Sequence, residues 1–128
     1  MRILLDTHTF LWWITSDQRL SQRSIELISD GRNELLFSTA SGWEIAIKAG
    51  LGRLDMPDPL DRFVTEHLFR NHISVLSVQL SHALHVYTLP QLHRDPFDLL
   101  LVAQAQVERL PLLSSDKRLA EYDVDVLW

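Results

Sequence analysis

The feature that most constrains the fold of this chain is the alternation of short apolar runs with segments that favour helix. Apolar runs lie at 2–5, 34–38, 73–76, 111–114 and 124–127, and each is too short to be a helix core. Between them the spacing of apolar residues and the helix-start signals predict helices. This order is typical of an α/β sandwich built around a mostly parallel sheet of about five strands.

The predicted helices all lie between or after these strands. Glycines end two of them, and a proline follows Asp95 at the start of the longest. The predicted ranges are 7–15, 21–31, 39–52, 60–71, 81–88, 96–110 and 116–121. In a parallel sheet of this kind, functional residues lie beyond the carboxyl ends of the strands, so the residues after each strand are the first candidates.

Length and composition exclude several classes of protein. With 128 residues the default is a single domain, 1–128. There is no cysteine, which excludes disulfides, thiolate metal sites and a cysteine nucleophile, and fits a cytoplasmic location. The first residues do not resemble a signal peptide, and no uncharged apolar stretch is long enough to span a membrane. A net charge of −5 argues against broad electrostatic binding of nucleic acid, although a local basic patch is compatible with it.

Acidic residues recur at the predicted strand ends. Asp6 follows the first strand, Glu44 lies in the helix after the second, and Asp116 follows the fourth. Asp95 and Asp98 open the helix that leads into the fourth strand. If the strands are parallel, these side chains gather at one edge of the sheet, where a hard divalent cation such as Mg²⁺ would offset their mutual repulsion.

Each acid also has a purely structural interpretation as a helix cap. The sequence from Ser41 to Glu44 matches a capping box, and Asp95 before Pro96 is a good N-cap. Asp98 fits this interpretation less well, because helical spacing places it above an apolar face rather than toward solvent. We therefore assign Asp98 to a metal and Asp95 first to the cap, with an outer-ligand role left open.

Four stretches of the sequence resemble the PIN-domain family, and within it the VapC-type ribonuclease toxins of type II toxin–antitoxin pairs. They are ILLDTHTFLWW (3–13), STASGWEIAIKAGLGRL (38–54), HRDPFDLLLVAQA (93–105) and PLLSSDKRLAEY (111–122). They occur in the family's order, and each contains an acid. The resemblance implies a three-layer α/β/α PIN domain.

The resemblance also implies an activity. The family's acidic quartet falls on Asp6, Glu44, Asp98 and Asp116, which would be both catalytic residues and metal ligands. The implied activity is an Mg²⁺- or Mn²⁺-dependent endoribonuclease that hydrolyses RNA phosphodiester bonds with a metal-activated water. A VapB-type antitoxin, a homodimer and a location in the bacterial cytoplasm are implied as well.

Other residues would support this site. Thr7 and Ser114 match hydroxyls that often accompany the first and last acids, and His8 places the chain in a "DTH" branch of the family. Basic residues beside the motifs are candidates for RNA contacts, although each also reads as a solvated surface charge. The RNA-binding candidates are Arg94, Lys117 and Lys48.

Two alternatives remain open at this stage. One is a phosphatase with Asp6 as an aspartyl nucleophile, although the second aspartate expected two residues later is absent. The other is a non-enzymatic receiver-like or protein-binding module in which the acids only cap helices. Nucleotide-binding folds are not indicated, because the chain has no glycine-rich phosphate loop.

Overall fold

The computed structural model describes residues 1–92 and 95–128. Every strand pairing in these ranges is parallel, and the five strands lie in the order β3-β2-β1-β4-β5. The prediction of a mostly parallel sheet of about five strands is confirmed. The strands are β1 (Arg2–Leu5), β2 (Glu34–Ser38), β3 (Ile73–Leu76), β4 (Leu112–Leu113) and β5 (Val126–Leu127).

Six helices connect these strands in the described ranges. Three of them begin at a polar side chain that accepts backbone hydrogen bonds, namely Ser21, Ser38 and Asp95. The predicted helix 81–88 is instead one helix followed by a 3-10 turn at Val86–Thr88, and Lys117–Glu121 is also 3-10. The helices are α1 (Thr7–Ile14), α2 (Gln22–Ser29), α3 (Thr39–Gly50), α4 (Leu60–Arg70), α5 (Leu80–His85) and α6 (Pro96–Glu108).

The alternation of side chains along β1 divides the interior into two cores. Ile3 and Leu5 face one core and Leu4 faces the other, because successive residues of a strand point to opposite sides of the sheet. The first core is closed by side chains from α1, α2, α3 and α4. The second is closed largely by α6 and by the 3-10 turn at 117–121. The fold is therefore the predicted three-layer α/β/α arrangement.

None of the helices in the two described ranges could cross a bilayer. The helix α6 has 13 residues, whereas a membrane span needs about 20.

The strand order places a switch point at the centre of the sheet. From β1 the chain moves outward through β2 to β3 on one side, while β4 and β5 lie on the other side. In open parallel sheets ligands bind where the order reverses, beyond the carboxyl ends of the strands. In this chain that position lies between β1 and β4, so Asp6 and Ser114 meet there.

Candidate active site

Asp6 occupies the switch point and is almost completely buried. It follows β1 directly, and its backbone N–H donates to the Leu113 carbonyl of the adjacent strand at 3.0 Å. The Ser114 hydroxyl donates to Asp6 Oδ2 at 2.7 Å and accepts from the backbone N–H of Asp116 at 3.0 Å. Burial raises the pKa of Asp6, and the Ser114 hydrogen bond offsets only part of that rise. Ser114 thus links the first and last acids of the predicted site.

Two threonines fix the start of α1 next to Asp6. The Thr7 hydroxyl donates to Ser41 Oγ on α3 at 2.8 Å, and both residues are buried. The Thr9 hydroxyl donates to the Leu113 carbonyl at 2.9 Å. Asp6 is the N-cap residue of α1, yet its side chain makes no capping hydrogen bond there. Its carboxylate is therefore directed to the site and to Ser114, and the structural interpretation of Asp6 as a cap is wrong.

Glu44 enters the site from the second turn of α3, and only 4% of its surface is exposed. The predicted capping box is wrong, because α3 begins three residues earlier with Ser38 as its N-cap, and Ser41 bonds to Thr7 instead. The Glu44 carboxylate accepts a hydrogen bond from Lys48 Nζ, one helical turn further on. Lys48 therefore compensates a buried charge that α3 would otherwise leave without a partner.

Asp95 caps α6 as the sequence predicted, and Asp98 lies in the first turn of the same helix. Asp95 Oδ1 accepts from the backbone N–H groups of Phe97 and Asp98 at 2.9 and 3.3 Å, which makes Asp95 the N-cap of α6. Asp98 is half-buried in the first turn. Burial, followed by the charges of Asp95, Asp6, Glu44 and Asp116, raises the pKa of Asp98 to about 7.

Asp116 is held by the arginine two residues later. Its Oδ1 accepts from the backbone N–H and Nε of Arg118 at 3.1 and 3.0 Å, and its Oδ2 accepts from Nη2 at 2.8 Å. This bidentate contact also starts the 3-10 turn at 117–121. Asp116 therefore acts as a cap, as the structural interpretation expected, while its charge still reaches Asp98.

The four predicted acids are close enough for Asp98 to respond to the charges of the other three. However, among residues 1–92 and 95–128 no three His, Asp or Glu side chains are placed to share one metal ion. The intramolecular partners explain this, because Glu44 is turned to Lys48 and Asp116 to Arg118. The donor set is nevertheless oxygen only, with four carboxylates and the Ser114 hydroxyl, which is the set that Mg²⁺ and Mn²⁺ prefer.

The three RNA-binding candidates differ in position. Arg94 lies outside the described residues. Lys117 is exposed beside Asp116. Lys48 is half-buried and engaged with Glu44. The sequence reasoning missed the contacts of Arg118 and Lys48 with the acids, although the Asp-x-Arg spacing and the Glu-to-Lys spacing of four on a helix are both signals for them.

Aromatic and histidine side chains near the motifs also have definite places. Trp43 is not a core residue, since 55% of its surface is exposed and its ring meets Phe97 at 5.0 Å between centroids. His82 is buried and accepts from the backbone N–H of Gln79, while His85 Nε2 lies 2.7 Å from Gln106 Oε1. Both histidines are therefore engaged in local contacts of α5.

Comparison with known proteins identifies the family of this fold and site. The family model described as PIN domain matches residues 3–125. The chain therefore belongs to the PIN domain family.

Ribonuclease VapC22 of Mycobacterium tuberculosis is 28% identical over 121 residues, which cover 94% of this chain and 91% of VapC22. Ribonuclease VapC16 of the same organism is 42% identical over 59 residues, but these cover only 46% of this chain and 42% of VapC16. The predicted resemblance to VapC-type PIN proteins is confirmed.

Solved structures agree on the fold. VapBC2 from Rickettsia felis, crystallised with a DNA fragment from its promoter, has a chain with a TM-score of 0.75 that covers 100% of this chain and 99% of that one. A chain of FitAcB from Neisseria gonorrhoeae has a TM-score of 0.62, with 98% and 96% covered. Each is 16% identical to this chain, so the likeness concerns the fold alone.

Proposed function

We propose that this protein is a divalent-metal-dependent endoribonuclease, the toxin of a VapBC-type toxin–antitoxin pair. One observation carries the proposal: Asp6, Glu44, Asp98 and Asp116 come from distant parts of the chain and converge electrostatically at the switch point of the sheet. Buried carboxylates that raise one another's pKa are destabilising unless a cation joins them. The VapC ribonuclease names of two relatives support the same activity.

The acids fit Mg²⁺ or Mn²⁺ by their chemistry. Asp6 and Asp98 are the strongest candidates for direct ligands, because neither is paired with a lysine or arginine among the described residues. Glu44 and Asp116 would join them directly or through water after releasing Lys48 and Arg118. When bound, such a cation neutralises charge at a phosphodiester and lowers the pKa of a water molecule.

The remaining work falls to side chains that hold the acids in place. Ser114 orients Asp6 by donating to Oδ2, and Thr7 ties α1 to α3 so that Asp6 and Glu44 stay on facing elements. Asp95 fixes the start of α6 and hence the position of Asp98. Lys48, released from Glu44, would lie within the site as a cation for an RNA phosphate.

The same proposal includes partners and location. We expect a VapB-type antitoxin, because a chain with this fold occurs in the VapBC2 structure. A homodimer and the bacterial cytoplasm are the expected assembly and location, and RNA is the expected substrate. Exposed apolar side chains on α3 and at its C-cap, namely Trp43, Ile47 and Leu51, provide surface for contacts with other chains.

A pair of variants tests the activity. Asp98→Asn and Asp6→Asn keep the shape of the side chain, and each removes a negative charge that the site needs to bind a cation. RNA cleavage with Mg²⁺ or Mn²⁺ should fall at least about a hundredfold in both, while circular dichroism stays unchanged. Asp95→Asn is the matched control, since asparagine is as good an N-cap as aspartate and cleavage should be retained. Cleavage by Asp98→Asn at the wild-type rate would remove the basis of the proposal.

The phosphatase alternative has a separate test on the same protein. An aspartyl nucleophile would leave a phosphorylated Asp6 after incubation with a phosphomonoester, and intact-mass spectrometry would detect it. We expect no such adduct, because the Asp6 carboxylate is buried and already accepts the Ser114 hydroxyl.

A further inference from the structure

A pocket of about 280 Å³ opens beside Glu44, between α1 and the end of α3. We call it the side pocket. Thr7 and Glu44 belong to its wall, so it is continuous with the candidate active site. Apart from Lys48, its other lining residues have no role in the proposed function.

The floor of the side pocket is apolar and rigid. Leu11, Ile45 and Leu54 form it, and all three pack in or against the core on this side of the sheet. Ile45 is completely buried, so its position is fixed by the core. A flat apolar group that leaves water for this floor gains free energy in proportion to the surface it buries.

The rim of the side pocket is cationic. Lys48 and Arg53 both line it, in a chain whose net charge is −5. Within residues 1–92 and 95–128 no carboxylate forms a salt bridge with Arg53, and its side chain is exposed. Gly52, with φ of +71°, turns the chain at the end of α3 and places Arg53 at this rim. An anion next to the apolar floor would find an arginine side chain that no carboxylate of the described residues engages.

We propose that the side pocket binds one nucleotide of single-stranded RNA, the one adjacent to the scissile phosphodiester. The base lies on the floor of Leu11, Ile45 and Leu54, and Arg53 contacts the phosphate of that nucleotide. The pocket thereby contributes to the choice of cleavage position. This inference rests on the proposed ribonuclease function and names how its substrate is held.

The size and composition of the side pocket favour a nucleotide over a segment of a protein partner. A volume of about 280 Å³ lies at the lower end of the range for small-molecule sites. An amphipathic helix needs a longer apolar groove than this. An apolar floor with the Arg53 guanidinium at its edge matches a base joined to a phosphate.

Binding is tested without cleavage, by titrating the metal-free protein with the four nucleoside 5′-monophosphates in EDTA and recording amide NMR spectra. We expect the amides of Leu11, Ile45 and Leu54 to shift with at least one nucleotide at millimolar concentration. Arg53→Gln should weaken that binding about fivefold to tenfold, whereas binding of the corresponding nucleoside, which has no phosphate, should not change. Arg23→Gln, an exposed arginine on α2, is the matched control and should leave both affinities as they are.

Cleavage of an RNA oligonucleotide library provides the second measurement. Arg53→Gln should raise KM with little change in kcat and reduce the salt dependence of log KM by about one. Leu54→Phe, which fills the floor while keeping an apolar residue, should redistribute the cleavage positions mapped by sequencing 5′ ends.

The two proposals fail in different ways. If the wild-type protein cleaves RNA but nucleotides leave the side-pocket amides unmoved and both variants behave like wild type, the pocket is not a nucleotide site. If the wild-type protein cleaves no RNA with Mg²⁺ or Mn²⁺, the ribonuclease function is wrong, whatever the pocket binds.

Discussion

Two groups of aspartates in this molecule show opposite electrostatic behaviour. Asp17 and Asp30 lie on the surface, and each accepts hydrogen bonds from the backbone and guanidinium of the arginine two residues later. These contacts lower the pKa of both to about 2. Asp6 and Asp98 lie at the carboxyl edge of the sheet, where burial and neighbouring acids raise their pKa. The same side chain is thus stabilised as an anion in one region and destabilised in the other.

Asp116 belongs to both groups. It forms the same Asp-x-Arg contact as Asp17 and Asp30, with nearly identical distances, but its charge is felt by Asp98 in the site. At Asp17 and Asp30 the Asp-x-Arg contact shapes a turn on the surface. At Asp116 the same contact holds one acid of the candidate active site. The comparison teaches that the sequence neighbours of an acid decide its local contact, while the fold decides whether its charge is shared.

The largest expected effect concerns cation affinity and pH. A carboxylate must lose its proton to bind a metal, and Asp98 has a pKa of about 7 in the metal-free protein. The affinity for Mn²⁺, measured by calorimetry, should therefore rise about tenfold between about pH 6 and about pH 8. Asp17→Asn should show the same rise, because Asp17 is remote from the site. An affinity that stays constant over this range would contradict the raised pKa of Asp98.

The contact between Ser114 and Asp6 is expected to matter almost as much. Ser114→Ala removes a hydrogen bond that orients the Asp6 carboxylate. The same hydrogen bond lowers the pKa of Asp6, so the pKa should be higher in the variant. Mn²⁺ affinity at neutral pH should fall about tenfold, as for other groups that orient a metal ligand. Ser115→Ala is the matched control, since Ser115 is exposed and adjacent. Equal affinities for the two variants would show that Ser114 has no positioning role.

Removing the Asp-x-Arg contact at Asp116 should have a smaller effect of opposite sign. Arg118→Gln frees the Asp116 carboxylate and removes a cation near the site, so Mn²⁺ should bind about threefold more tightly at low ionic strength. The gain should diminish in high salt, because the guanidinium is exposed. Arg32→Gln breaks the same contact on the surface and should leave the affinity unchanged. Weaker binding by Arg118→Gln would mean that the arginine positions Asp116 for the cation.

The smallest effects are on stability in EDTA, and they distinguish the two regions by sign. The folded-state pKa of Asp98 is raised, so its contribution to stability is lost as the pH rises through about 7. Asp98→Asn should therefore melt a few degrees above wild type at about pH 8 and closer to it at about pH 5.

The folded-state pKa of Asp17 is lowered to about 2, so its contribution to stability is present above about pH 4 and disappears below that. Asp17→Asn should melt slightly below wild type at neutral pH. A higher melting temperature there would show that the contact of Asp17 with Arg19 does not stabilise the fold.

Much of this architecture is readable from local patterns. Short apolar runs between helical segments predicted the parallel sheet, and the acids after the strands predicted the edge at which Asp6, Glu44 and Asp116 come near Asp98. Asp95 before Pro96 predicted the cap of α6, and the cap hydrogen bonds are present. The cap depends on contacts within a few residues, and the strands and helices are indicated by local apolar periodicity, which is why a single sequence contains these signals.

The parts that were wrong or missed depend on contacts between distant residues. Ser41 to Glu44 has the pattern of a capping box, but the Thr7 hydroxyl, 34 positions away, donates to Ser41. The start of α3 was fixed by Ser38, whose hydroxyl is also bonded to Gln104 on α6. The contact of Arg118 with Asp116 is local, yet its consequence for the site depends on the charge reaching Asp98 from another element. The predicted role of Arg94 stays a prediction.

The position of β1 at the centre of the sheet affects the order in which its contacts form during folding. Ser114 and Asp116 lie more than a hundred residues after Asp6 in the sequence, and β1 pairs with β4 only after both strands exist. Contacts of such high sequence separation form late in folding. The acids of the candidate active site are therefore assembled only after the segment that contains Asp116 has been synthesised. Under the proposed function, a growing chain that does not yet contain Asp116 has an incomplete cation site.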